Sequence, residues 1–300
     1  MNSRIVFIAY LLLSCLTAYP QDDTTMLLRL MTYNIQHGAG MDDVIDLDRQ
    51  AAVIRDATPD VVGLQEVDSV VKRSSYIDQA AYLANSLGMY STFGPAIPLT
   101  RGKYGVAILS KERPLSVRNI PLPGTEARTL LVCEFEEYVF ASTHLCLSEE
   151  NRLASHPIIV EEAARWDKPF FICGDWNDQP GSTFITKMRK DFNILNNTTN
   201  SSANYTFPAR NPTKIIDYIA TYGRVIKSIR SRKVINEPEA SDHRPVLVEV
   251  KMERYTTDIT SPSTDSTLQE EAMYDLTGKR VSTPLQKGIY IKGKKKVAVK

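Results

Sequence analysis

The chain has 300 residues, enough for one large domain or two ordinary ones around a sizeable core. Apolar residues make up 43% and charged residues 24%, values of a globular protein, and beyond the N-terminus no apolar run is long enough for a membrane-spanning helix. The formal net charge is +1, so the global basic excess that marks nonspecific nucleic-acid binding is missing, although a locally basic groove stays open.

Residues 1–21 read as a secretory leader, with Arg4 first, then apolar Ile5 to Leu13, then small residues and a proline. A buried N-terminal element is the alternative. Leu12-Leu13-Ser14-Cys15 resembles a weak lipobox, but Leu13 is unusual there, and ordinary cleavage near Ala18 to Gln21 is favoured. The expected location is exported: cell surface, periplasm or outside. Cleavage would leave Cys133, Cys146 and Cys173, an odd set, read as buried thiols. Pairing Phe135 with Tyr138 across Glu136-Glu137 puts Cys133 opposite Phe140, too far from Cys146 for a disulfide.

Leu27 to Tyr33 is strand-like and ends in Asn34. Asp46 to Ala57 is a helix, capped by Asp46 or Asp48 and broken at Pro59. Asp60 to Gln65 is a buried strand ending in Glu66. Tyr76 to Leu87 reads as an amphipathic helix stopped by Gly88. Short strands are expected around Phe93 and at Val106–Leu109, with Tyr104 just before the second. Ala127–Phe135 and Tyr138–Thr143 form a hairpin, the second run ending in His144. A helix from Glu149 to Ala164 follows.

Phe170-Phe171-Ile172-Cys173-Gly174 is a short apolar run that delivers Asp175 and Asn177, the pattern of a strand buried on both faces. Gly181 to Lys190 is a short helix and Asn193 to Asn211 is loop-rich. Ile215 to Ala220 is a strand carrying Asp217. Asp242-His243 precedes the last strand, Val246 to Val250. Loops 67–78, 95–104 and 196–214 are expected to shape a pocket. A linker at 253–270, rich in Thr, Ser and Asp, separates a domain at 26–252 from a small module at 271–300.

Polar residues at strand ends along one sheet edge converge on one crevice. Asn34, Glu66, His144, Asp175, Asn177, Asp217 and Asp242-His243 all occupy such positions. Each alone has a plain reading as a turn former, a surface charge or a core histidine. Together, unpaired at buried strand ends, they would cost several kcal/mol each, roughly. Oxygen donors such as Glu66, Asn34, Asp175 and Asp242 suit a hard cation, Mg²⁺ before Zn²⁺. Histidines beside them suit acid–base work or neutralisation of a phosphoryl transition state, with Asp217 fixing the tautomer of His243. Neither a P-loop nor a Gly-x-Ser-x-Gly elbow occurs.

Seven segments, in order, resemble the endonuclease/exonuclease/phosphatase family: Met31-Thr32-Tyr33-Asn34-Ile35, Leu64-Gln65-Glu66-Val67, Tyr104 to Ser110, Ser142-Thr143-His144, Gly174-Asp175-Trp176-Asn177, Ile216-Asp217-Tyr218-Ile219, and Ser241-Asp242-His243-Arg244-Pro245. The resemblance implies a four-layer α/β sandwich of deoxyribonuclease-like form and a phosphodiesterase or phosphatase that uses Mg²⁺, with Mn²⁺ as the alternative. It implies Glu66 as the main metal ligand, with Asn34 and Asp242 beside it. Asp175 and Asn177 would orient water and phosphate. His243, held by Asp217, and His144 would contact the scissile phosphate, one of them as general base or acid. Tyr104 and Arg128 would lie on the phosphate side; for Arg128 a strand-edge charge is the alternative.

Tyr274-Asp275-Leu276-Thr277-Gly278-Lys279 and Lys287-Gly288-Ile289-Tyr290-Ile291, with the basic tail, more loosely resemble the sorting domain of secreted Bacteroidetes proteins. A basic nucleic-acid-binding tail is the rival. A monomer with a phosphoester substrate and no stable protein partner is expected. A secreted nuclease and a non-catalytic surface binding protein remain as alternatives.

Overall fold

The computed structural model describes residues 24–223 and 226–255, plus four strand segments between 273 and 299. The leader, Cys15 and most of the linker lie outside the described residues. The chain divides into two units, 1–256 and 257–300.

The first half of unit one contains β1 (Thr25–Asn34), α1 (Leu47–Ala57), β2 (Val61–Ser69), α2 (Gln79–Leu87), β3 (Tyr90–Leu99) and β4 (Gly102–Ser110). It continues with β5 (Ser116–Leu122), β6 (Arg128–Glu134), β7 (Val139–His144), α3 (Glu149–Ala163), β8 (Phe170–Asp175) and α4 (Thr183–Asp191). The last strands are β9 (Phe192–Ile194), β10 (Asp217–Tyr222), β11 (Ile226–Val234) and β12 (Val246–Glu253).

These strands build two six-stranded sheets, ordered β11-β12-β1-β2-β4-β3 and β5-β6-β7-β8-β10-β9. The period-two pattern of β1 shows why they stack. Leu28 and Leu30 face the second sheet, packing with Leu131, Phe140 and Phe171. Met31 and Tyr33 face the other way, against Leu47, Ala51 and Ile54 of α1 and Leu83 of α2. On the second sheet, Val132, Ala141 and Ile172 face Ile159 of α3 and Phe184 and Met188 of α4. Helix, sheet, sheet, helix are the four layers expected. One contact between the sheets is polar: Gln65 Nε2 donates to Ser142 Oγ (3.1 Å), while Thr32 Oγ1 of its own sheet donates to Gln65 Oε1 (3.2 Å). A Cβ on Gly63 would sit 2.2 Å from Cys173 Sγ, so the sheets require glycine there.

Local chemistry explains the helix ends. Asp46 caps α1 by accepting from the Asp48 and Arg49 N–H groups, and Thr58 ends it in the left-handed region. Helix α2 starts at Gln79 with Asp78 as its cap, later than the Tyr76 start expected, because Ser75 and Tyr76 have φ of 56° and 59°. The hairpin registers Cys133 with Phe140 as expected, and Cys133, Cys146 and Cys173 are free and buried.

Other expectations change. The 95–104 stretch is mostly strand: β3 and β4 form one long hairpin, and Tyr104 lies within β4. Strands β5 and β11 were not anticipated. Both are sheet edges, largely exposed, and their sequences (SVRNIPL, IKSIRSRKV) lack an apolar run. Strand β12 continues to Glu253, the position where the linker was expected to start. Unit two contains β13 (Met273–Tyr274), β14 (Arg280–Val281), β15 (Gly288–Lys292) and β16 (Lys295–Val299) in a sheet ordered β14-β13-β15-β16. No helix among the described residues is long and apolar enough to cross a membrane.

Candidate active site

Strands β1 and β2 are parallel, as are β7 and β8, and the ends of β1, β7 and β8 open on one cleft. The cleft holds about 490 Å³ and is lined by Glu66, Tyr104, Arg128, His144, Asp175, Asn177, Asp242 and His243. Asn34 and Asp217 lie just beneath, both buried.

Glu66 does not end a strand. It sits in a β-bulge, where the β2–β4 register shifts between Leu64 and Val67, and its φ is 58°. A bulge re-aims one side chain while the strand continues. Gly174 serves β8 differently: a Cβ there would meet Thr143 O at 1.9 Å, so only glycine lets β7 and β8 close to bring His144 opposite Asp175.

Asp175 is the hub. Its Oδ1 accepts the Asn177 N–H (2.8 Å). Its Oδ2 lies 3.3 Å from Asn34 Nδ2, 3.5 Å from His144 Nε2 and 3.6 Å from His243 Nε2. Burial, aided by the Asp217 and Glu66 charges, pushes its carboxyl up to about 7, although His243 opposes the shift.

The two histidines are driven apart. His243 Nδ1 is 2.9 Å from Asp217 Oδ2. Burial would lower its basicity, but the Asp217 and Asp175 charges outweigh that and raise it to about 10. His243 is therefore an imidazolium at neutral pH. Burial, then the Arg128 and His243 charges, hold His144 well below the usual histidine range. Arg128 Nη1 is 3.4 Å from His144 Nδ1, and a guanidinium can only donate, so His144 carries its proton on Nε2. Both histidines thus turn an Nε2–H toward Asp175.

Arg128, the first residue of β6, is 8% exposed and lines the cleft. Asn177 Nδ2 donates to Leu145 O (2.9 Å), which orients the amide and leaves its oxygen and one N–H. Asn34 lies beside Glu66: Oδ1 accepts the Gln36 N–H (3.0 Å) while Nδ2 donates to Glu66 Oε1 (3.2 Å). Its amide nitrogen bridges two carboxylates, and its oxygen, which accepts one N–H, keeps a second lone pair.

Glu66 and Asp242 supply the fit for a metal. Burial raises both carboxyls, and the Asp242 charge raises Glu66 further. Neither has a lysine or arginine ion-pair partner among the described residues. Two half-buried, mutually repelling oxygen ligands suit a hard divalent cation. Asp175, Asp217 and His243 also bring ligand atoms within 4.8 Å of one another. There His243 Nδ1 is already bonded to Asp217, so that trio is better explained as a hydrogen-bonded relay.

Sequence reasoning placed Phe207 and Lys214 only within the pocket-shaping loop 196–214, and it missed Arg152. Phe207 packs its ring 4.8 Å from that of His243, with Lys214 Nζ 6.0 Å from the Phe207 centroid. Buried Arg152 donates to Asp178 Oδ2 (3.0 Å) and to Cys146 O (3.0 Å) and Leu147 O (2.6 Å), joining two cleft loops. Nothing in their local spacing singles them out.

An α/β sandwich whose paired sheets bring acids, amides and two histidines to one cleft is a defined class of architecture. The chain belongs to the Endonuclease/Exonuclease/phosphatase family, which it matches over residues 31–243. Members are generally hydrolases of phosphoester bonds. No curated protein sequence matches the chain. Among solved structures, an endonuclease/exonuclease/phosphatase from Beutenbergia cavernae is 23% identical, with TM-score 0.61, covering 76% of this chain and 72% of that one. A mannosyl-6-phosphatase from Bacteroides thetaiotaomicron is 18% identical, with TM-score 0.57, covering 74% and 99%. The human Nocturnin catalytic domain with bound sulfate is 21% identical, with TM-score 0.57, covering 75% and 94%. These likenesses establish the fold.

Proposed function

We propose that the protein is an exported hydrolase of phosphoester bonds that depends on a divalent cation, Mg²⁺ or alternatively Mn²⁺. The carrying observation is the meeting of His144 Nε2, His243 Nε2 and Asn34 Nδ2 around Asp175 Oδ2. The family and its phosphatase and nuclease-type neighbours support the reaction class, and the leader-like residues 1–21 support export.

Asp175 is the general base. A carboxylate raised toward neutrality can accept a proton from water at working pH, which is worth about 10²–10⁴-fold. Asn177 fixes it through the N–H to Oδ1 bond and offers an amide oxygen to the same water. The His243 imidazolium and the His144 Nε2–H meet the negative charge that develops on the phosphoryl oxygens, with Arg128 behind them. Asp217 keeps His243 charged and oriented. Glu66 and Asp242 would hold the cation, which when bound supplies Lewis-acid stabilisation of the phosphate and leaving oxygen.

The test is a panel of DNA, RNA, sphingomyelin, inositol phosphates and nitrophenyl phosphoesters, each with and without EDTA. Chelator-sensitive hydrolysis of at least one is expected. No hydrolysis, together with no Mg²⁺-dependent heat by calorimetry, would favour a non-catalytic binding protein.

A further inference from the structure

Arg73 plays no part in the reaction just described and does not line the cleft, but it is held against Tyr104, which does. Its Nε and Nη2 each donate a 2.8 Å bond to Asp68, whose side chain is 0% exposed while that of Arg73 is 43% exposed. A buried carboxylate using both oxygens on one guanidinium fixes it in a planar, bidentate pose. Three of its five N–H groups stay uncommitted to Asp68. The guanidinium carbon lies 5.5 Å from the ring centroid of Tyr104, which lines the cleft. Asp68 and Tyr104 are paired directly across the β2–β4 ladder, next to the bulge that carries Glu66.

His37 reaches the same corner. Buried Gln79 donates from Nε2 to His37 O (2.6 Å) and accepts the Asp68 N–H on Oε1 (2.9 Å), so one amide ties the His37 loop to Asp68. Gln36, His37 and Gly38 have φ of 46°, 46° and 88°. Such backbone is costly for the two non-glycine residues and persists where surrounding contacts enforce it. Here Gln79 holds the His37 backbone, and the half-buried ring lies within electrostatic range of Arg73. Burial and then the Arg73 charge lower the basicity of His37, which favours the uncharged ring with one N–H to donate.

We propose that Arg73 and His37, beside Tyr104, form a second anion subsite, so that the substrate carries another phosphate next to the one hydrolysed. This rests on the phosphoester-hydrolase reading and adds a substrate requirement to it. The second phosphate comes either from a polynucleotide backbone or from a small bisphosphate.

The experiment compares the p-nitrophenyl ester of thymidine 5′-phosphate with the same compound bearing a 3′-phosphate. Wild type should show a KM about tenfold lower for the second compound. In His37→Ala, and in the Asp68→Asn/Arg73→Gln double variant that avoids a buried unpaired carboxylate, the ratio of KM values should fall to within about twofold of one. Equal KM values in wild type, or a ratio preserved in both variants, would overturn the subsite. Failure of wild type to hydrolyse any phosphoester would instead overturn the hydrolase reading. Competition by thymidine 3′,5′-bisphosphate and by a phosphorothioate tetrathymidylate identifies the source, the tighter competitor being the nearer mimic.

Discussion

Asp217 Oδ2 lies 2.9 Å from Nδ1 of His243, and both groups are almost wholly buried. That contact makes the ring a cation and aims its other nitrogen at Asp175. We predict that Asp217→Asn leaves His243 oriented but easily deprotonated. Turnover near neutral pH should fall by about 10²-fold, with a smaller change in KM. The kcat–pH profile should also lose rate at lower pH than wild type does. An unchanged profile would show that Asp217 is only structural.

The same contact sets a pH dependence of stability. In the unfolded chain His243 titrates at its ordinary value of 6.5, and in the folded chain at about 10. Its stabilising contribution is therefore fully present below pH 6.5 and is lost as pH rises toward 10. In EDTA, urea midpoints should fall across that window in wild type and fall less in His243→Asn. Equal slopes would contradict the imidazolium assignment.

Glu66 and Asp242 make the metal-free site self-repelling. Saturating Mg²⁺, at 100 times its dissociation constant, should stabilise wild type by about 2.7 kcal/mol. Glu66→Gln should lose most of that thermal shift while folding as well as wild type in EDTA. A Mg²⁺-induced shift preserved in Glu66→Gln would place the cation elsewhere.

Gly63 offers a prediction far from the chemistry. A methyl group there meets Cys173 Sγ and Ser142 across the sheet interface. Gly63→Ala should destabilise the fold by about 1–3 kcal/mol through overpacking. Chemical denaturation would measure it, and a neutral result would mean the sheets separate more easily than their packing suggests.

Much of this was legible in sequence because buried strands advertise themselves. The Phe170–Asp175 run and the hairpin register opposite Cys133 needed only period and burial. The edge strands β5 and β11 did not, because solvent-exposed edges carry no apolar pattern. Asp175, Asp217 and His243 were placed at one site by their strand ends, but sequence could not show that one carboxylate faces both histidines. The Glu66 bulge and the donor role of Asn34 were equally hidden, since both depend on backbone register and amide orientation. Arg73 was hidden because its partner Asp68 and its neighbour Tyr104 meet only once β2 and β4 pair.

The most direct test of the account is the turnover of Asp175→Asn on the best substrate from the panel, at saturating Mg²⁺ and neutral pH. Loss of the general base at the hub predicts a fall in kcat of at least about 10²-fold with an unchanged melting profile. Turnover within a fewfold of wild type would contradict the assignment of Asp175 as the group that activates water.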